Sequence, residues 1–313
     1  MTDWLLRPRP VWVLLAVAFA IGLAHALTML PVALVLGGGP FWVFPRGTVP
    51  GAYMDMGQEL VGYLYLVQAP WVLPLLHVPN LVPPAGHNAF WLDPVPWLGL
   101  LGKAVHSAFD VVPNMLGIFL LLCFALPGVA MTLLFVATGR RGLAYALAAA
   151  VLLDAMPMLL FEWGHMALCA QFLPILALAM YAWNQRRPGD IGVALCWLGL
   201  LVLALLTHIY LFVMVGGIWA ASLAQTGLDG RVGARRLLVE AGGVVGCVVA
   251  LMLLAGMLSR ETREGGTHGF GIFSLNLAAP FVPQMSGVIP PLRDYWMGMR
   301  AQVFGYPGLG AAH

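Results

Sequence analysis

The sequence predicts an all-α protein, a polytopic bundle of transmembrane helices, and three observations predict it. Charged residues make up 9% of the chain against 61% hydrophobic ones. Those few charges sit in breaks between the apolar runs Val11–Leu36, Met115–Thr138, Gly142–Phe161, Met166–Trp183, Ile191–Ala224 and Val239–Leu258. Runs of about 18 or more apolar residues match the hydrocarbon thickness of a bilayer and exceed what a soluble core helix needs. The strongly positive mean hydropathy excludes a water-soluble enzyme.

Taken in order, the expected spans are 11–36, 114–138, 142–162, 166–184, 190–207, 208–226 and 238–258. The first follows Arg7 and Arg9 like a signal peptide, but its apolar run outlasts the usual h-region of about 7–15 residues, so it reads as an uncleaved span. Arginines punctuate the chain at Arg7/Arg9, Arg140/Arg141, Arg186/Arg187 and Arg231/Arg235/Arg236. Seven spans place all four groups in the cytoplasm, as the positive-inside rule asks. Residues 37–113 and 259–313 then become two long external segments of a single transmembrane domain covering 1–313. Between 190 and 226 the chain either turns at Thr207-His208 or forms one tilted span with a re-entrant tail. Residues 95–109, with Lys103 and His106, read as an interfacial or re-entrant helix. Trp42, Tyr53, Tyr63, Tyr65, Trp71, Trp91 and Trp97 of the first loop suit an aromatic belt at the interface.

Cys123, Cys169, Cys196 and Cys247 lie inside apolar runs, form no C-x-x-C pair and read as buried packing thiols. There is no basic tract or RNA-binding motif, so no nucleic-acid partner is expected. G-x-x-x-x-G-K-[ST], H-E-x-x-H and G-x-S-x-G are also missing, which removes the usual support for ATP hydrolysis, zinc proteolysis and serine-hydrolase chemistry.

The remaining polar residues fall on one side. Asp55, Glu59, Asp93, Asp110, Glu162, His165 and His208 all map to the external face or to external helix ends. Ionisable residues near a membrane are costly, so such a gathering points to a site. Asp55 suits a general base towards a hydroxyl, or an acid holding a metal that neutralises a phosphate leaving group. It equally suits an acid in the first turn of a helix. Asp93, ahead of Pro94, has the look of a helix cap with proline at the first helical position, as well as of a cavity residue. Glu162 and His165 share a face if their segment is helical. A single Glu-x-x-His is too little for a di-iron centre, so hydrogen bonding to a sugar or phosphate is the better reading. His208, in Thr207-His208-Ile-Tyr210, is either a buried structural imidazole or a further site member.

With these residues in place, the chain resembles the GT-C-type membrane glycosyltransferases, and within them an uncharacterised bacterial branch. Five stretches carry the resemblance: Asp55-Met-Gly-Gln58 with Gly62-Tyr-Leu-Tyr65 and Ala69-Pro-Trp71; Asp93-Pro-Val-Pro-Trp-Leu98 with Lys103; Gly164-His165-Met-Ala-Leu168; His208-Ile-Tyr210; and Gly269-Phe-Gly271 with Ser274-Leu-Asn276, Pro280-Phe281 and Pro283-Gln284. The resemblance implies a GT-C-like bundle in a bacterial inner membrane, with its site facing outward. It implies a polyprenyl-phosphate-linked sugar as donor and an acceptor hydroxyl that attacks with inversion. Asp55 would be the catalytic acid, as general base or facing a divalent metal, and Asp93, Glu162, His165 and His208 would contact the donor. Arg260, Arg263, Arg293 and Arg300 would either add positive charge or lie on the surface. Relatives of that type continue past the point where this chain stops, so it reads as the N-terminal part of such a protein. Two other readings stand beside the transferase: a transporter or flippase of a lipid-linked substrate, using Asp154 and Glu162, and a non-catalytic remnant or assembly partner.

Overall fold

The computed structural model describes residues 2–37, 53–154, 156, 159 and 165–258. Its helices are α1 (Thr2–Leu6), α2 (Val11–Met29), α3 (Val32–Val35), α4 (Tyr53–Gln68), α5 (Pro96–Phe109), α6 (Met115–Ala137), α7 (Leu143–Asp154), α8 (Phe172–Asn184), α9 (Ile191–Leu205), α10 (Ile209–Leu228) and α11 (Ala234–Ala255). Single 3-10 turns at Ala89–Leu92 and Met166–Cys169 complete the helical content. The all-α expectation needs one small amendment. Two-residue strands β1 (His77–Val78) and β2 (His87–Asn88) pair antiparallel, with His77 opposite Asn88.

Among the described residues five stretches are long and apolar enough to cross a membrane: Val11–Met29, Met115–Ala137, Met166–Asn184, Ile209–Leu228 and Ala234–Ala255. Helices α7 and α9 are apolar but shorter. The protein is therefore a helical membrane protein. The first expected span, 11–36, ends early because Pro31 cannot donate to the preceding turn; α2 stops at Met29 and Leu30 turns extended. The turn expected at Thr207-His208 is present. The chain breaks at Leu206–His208, and α9 and α10 are separate helices.

Helix α6 is the hub, packed against α2, α7 and α8, while α10 packs on α8 and α9 and α11 lies outermost. Asn114 starts α6 by accepting the Gly117 N–H at 2.9 Å, and its amide donates to Val35 and Gly37 carbonyls at 2.8 and 3.0 Å. Asp190 starts α9 by accepting the Gly192 N–H at 2.7 Å. Leu238, Val239, Leu253 and Leu254 of α11 are exposed apolar side chains, the outward face that a helix presents to lipid. Cys123 and Cys169 are buried as expected, whereas Cys196 and Cys247 are exposed, which corrects the reading of all four as buried.

The arginines gather at one end. Arg9 N–H donates to the Arg141 carbonyl at 2.8 Å. Arg141, Arg186 and Arg187 line one cleft of about 320 Å³ with Val11 and Trp183. Arg231 donates to Gln185 O at 2.6 Å, and Arg236 donates to Gly189 O.

Residues 53–113 cover the opposite end. Helix α4 packs on α5 and on the Ala89–Leu92 turn. The hairpin is tied to the end of α11 by Leu75 N–H on Leu254 O at 2.9 Å and Asn88 Nδ2 on Ala255 O at 2.8 Å. The start of α5 is tied to the α9–α10 junction by Trp97, whose backbone N–H donates to Leu206 O and whose Nε1 donates to Thr207 Oγ1, both at 3.2 Å. Tyr63 Oη donates to Pro113 O at 2.6 Å, and burial pushes its phenol up to about 12, so it remains a donor.

Helix α5 falls outside the candidate spans, consistent with an interfacial or re-entrant helix, but Lys103 departs from what a surface helix would show. Its side chain is fully buried, with Nζ donating to Pro70 O at 3.0 Å and lying 4.7 Å from the Trp71 ring centroid. Desolvation by that burial lowers the Lys103 ammonium from its ordinary value. Trp71 is fixed in turn by Nε1 donating to Ser107 Oγ at 3.0 Å.

Candidate functional site

Four elements converge where the 53–113 segment meets the bundle. The first turns of α4 supply Asp55 and Glu59, one helical turn apart and so on one face. The chain after the Ala89–Leu92 turn supplies Asp93, the start of the Met166–Cys169 turn supplies His165, and the α9–α10 break supplies His208.

Glu59 is the anchor. It is 1% exposed and its carboxylate accepts the Met166 N–H at 2.9 Å and the Ala167 N–H at 3.2 Å. These are first-turn amides with no partner inside their own turn, which is why a carboxylate settles there. His165 Nδ1 lies 2.5 Å from the same carboxylate. Desolvation pushes the Glu59 carboxyl up, against the pull of His165 and the Ala167 amide. Desolvation works to lower His165, but Glu59, then Asp93 and Asp55, outweigh it and hold the imidazole above its ordinary value.

His208 caps α10: its Nδ1 accepts the Tyr210 N–H at 3.1 Å. That bond fixes the proton on Nε2, which faces Asp93 Oδ1 at 3.6 Å. Burial, with the neighbouring His165, lowers His208 to about 4, so it is neutral at physiological pH. The His165 and His208 rings meet edge to face at 5.1 Å, and Tyr210 lies 4.9 Å beyond His208.

Asp93 sits in the left-handed region, at φ 50° and ψ 42°, and terminates the Ala89–Leu92 turn. The reading of Asp93 as a helix cap with Pro94 at the first helical position is therefore corrected. Helix α5 begins at Pro96, with Val95 before it. The turn that aims Asp93 presses on α4 at Gly62, where an added Cβ would meet Leu92 Cβ at 2.7 Å. Desolvation, with Asp55 nearby, raises the Asp93 carboxyl against the pull of His165.

The structure thus brings together Asp93, His165 and His208, one donor atom from each lying within 4.8 Å of the others. Asp55 is exposed in the first turn of α4, close enough for its charge to act on Asp93 and His165. Glu162, the Asp154 side chain, Arg260, Arg263, Arg293, Arg300 and the segment 259–313 lie outside the described residues. Residue 165 itself is non-helical, at φ −127° and ψ 79°. Glu59 had no role assigned from sequence. Its spacing of four from Asp55 was the available signal.

The profile of a domain family of unknown function, DUF6311, matches residues 19–313. No curated protein and no solved structure shows significant similarity to the chain. The match covers nearly the whole chain, the site elements included, and the protein belongs to the DUF6311 family.

Proposed function

We propose that the protein is a membrane glycosyltransferase that moves a sugar from a polyprenyl-phosphate-linked donor to an acceptor hydroxyl, working at the outer face of a bacterial inner membrane. One observation carries the reading. Asp55, Asp93, His165 and His208, with Glu59 beneath them, converge at the end of the bundle opposite the arginines. The positive-inside rule puts the arginine end in the cytoplasm and this site outside. A lipid-linked donor reaches such a place from within the bilayer, while an acceptor reaches it from water.

In this reaction the acceptor oxygen attacks the anomeric carbon as the bond from that carbon to the phosphate oxygen breaks, with inversion. Asp55, exposed in the first turn of α4, takes the hydroxyl proton. His165 and His208 contact the phosphate end of the donor, Asp93 lines the space beside it, and polyprenyl phosphate leaves. Glu59 acts through His165, as a positioning residue.

The test is made on full-length protein in nanodiscs, with a radiolabelled polyprenyl-phosphate-sugar and either water or an added alcohol as acceptor. Asp55→Asn should bind donor within a few-fold of wild type yet lose at least ~100-fold in sugar release, a loss in the range of general-base removal. Its melting temperature should not move. Turnover equal to wild type in that variant would refute the role of Asp55, and no saturable donor binding by wild type would refute the reading as a whole.

A further inference from the structure

We propose that Asp93, His165 and His208 bind one divalent transition-metal ion of the zinc class, with Glu59 orienting His165 from behind. The set has the composition of an open zinc site, two imidazoles and a carboxylate, leaving a fourth position for water or a substrate oxygen. Two nitrogen donors select against magnesium and calcium, which take oxygen.

The three donor atoms lie within 4.8 Å of one another, so the widest pair draws together on an ion, while His208 and Asp93 already have the right spacing. His208 Nε2 and Asp93 Oδ1 are 3.6 Å apart, too far for a hydrogen bond in a site where a buried imidazole should make one. Two donors bound to the same tetrahedral zinc at its usual bond lengths lie roughly 3.4 Å apart. The separation therefore suits an ion between the groups better than a bond from one to the other. His165 engages Glu59 through Nδ1 at 2.5 Å, which leaves Nε2 as its available nitrogen. A metal-bound histidine ordinarily carries such a carboxylate on its other ring nitrogen, where it fixes orientation and raises basicity. Glu59 is itself held by two backbone amides, so the support is rigid.

His208 must change for this to happen. Ligation through Nε2 moves its proton to Nδ1 and releases the Tyr210 N–H, a first-turn amide that water can satisfy. One N-cap bond is small against the free energy of a three-ligand zinc site. The charge pattern agrees, since Asp55, Glu59 and Asp93 crowd three carboxyl groups around two imidazoles. Such a cluster attracts a cation, and an anionic phosphate would approach it most readily on a metal.

The inference stands on the cluster alone, so it is tested without donor or acceptor. Full-length protein in nanodiscs, stripped with chelator, is dialysed against Zn²⁺ for stoichiometry and titrated with Co²⁺ for its visible spectrum. The expected result is one ion per chain and the intense absorption of four-coordinate cobalt. His165→Ala, His208→Ala and Asp93→Asn should each weaken binding at least ~100-fold. Glu59→Gln should weaken it about 10–100-fold, the range for loss of such a supporting group. His106→Ala, on α5 away from the cluster, should bind as wild type does. Wild type with no bound zinc, or with the weak spectrum of six-coordinate cobalt, overturns the proposal whatever the variants do. So does a monodisperse His165→Ala or His208→Ala that binds as tightly as wild type. Metal binding without donor turnover would leave this site standing and the transferase reading refuted.

Discussion

At the arginine end of the bundle, Arg231 reaches Asp229 at 2.9 Å while 42% of its side chain stays exposed. At the other end, Glu59 is 1% exposed and faces an imidazole and two amides. Both ends carry charge, yet the first pair stays open to solvent while protein encloses the second carboxylate. In the proposed topology, charge at the arginine end orients the chain, a task that tolerates substitution as long as the sign survives. Charge at the site end is bound into a fixed geometry, and removing one member strands the others.

The largest test of this contrast is Glu59→Ala. It leaves His165 and the Met166 and Ala167 amides without their partner, and breaking a buried pair of this kind costs about 3 kcal/mol or more. Thermal unfolding in nanodiscs should show a clear fall in melting temperature, and an unchanged value would mean that the site end is as forgiving as the arginine end. Next comes Gly62→Ala, whose Cβ has no room beside Leu92. Overpacking of this type costs about 1–3 kcal/mol. It should also displace Asp93, read as weakened metal binding beyond what the stability loss explains.

Lys103 gives a pH-dependent test of intermediate size. Its folded-state value is lowered, while the unfolded chain has the ordinary one of about 10.4. Between the two, the unfolded state binds more protons, so the lysine makes stability rise with pH over that window, which ends near the ordinary lysine value. Lys103→Met should flatten the rise, and equal slopes for the two proteins in melting temperature against pH would contradict it. The smallest effect belongs to Arg231→Ala, which removes a partly exposed pair worth about 0–1 kcal/mol. A loss as large as that of Glu59→Ala would erase the distinction between the two ends.

Much of the bundle is legible from hydropathy alone, because lipid imposes length and apolarity on each helix directly. The breaks at 139–142 and 185–190 and the division at Thr207-His208 are visible as charge, glycine or a polar pair amid apolar residues. The one-sided placement of Asp55, Asp93, His165 and His208 is also readable, since it follows from counting spans. What does not follow is which acid turns inward. Asp55 and Glu59 share a helix face, and the choice of Glu59 as the buried one depends on where the Met166–Cys169 turn comes to rest. Asp93 is a similar case: the residue before it, Leu92, packs tightly on Gly62, a contact between segments thirty residues apart. The burial of Lys103 is not legible either, because its acceptor, the Pro70 carbonyl, is a backbone atom that composition does not reveal.

His208 begins a membrane helix and also lines the site, so the two cannot vary independently. Whatever tilts α10 against α9 would move this imidazole relative to Asp93, and whatever grips the imidazole would resist that tilt. Through that joint, helix tilt would set the spacing of the two donors. A thicker or thinner host membrane, by changing the pitch of these two helices, would retune the site without touching any residue in it.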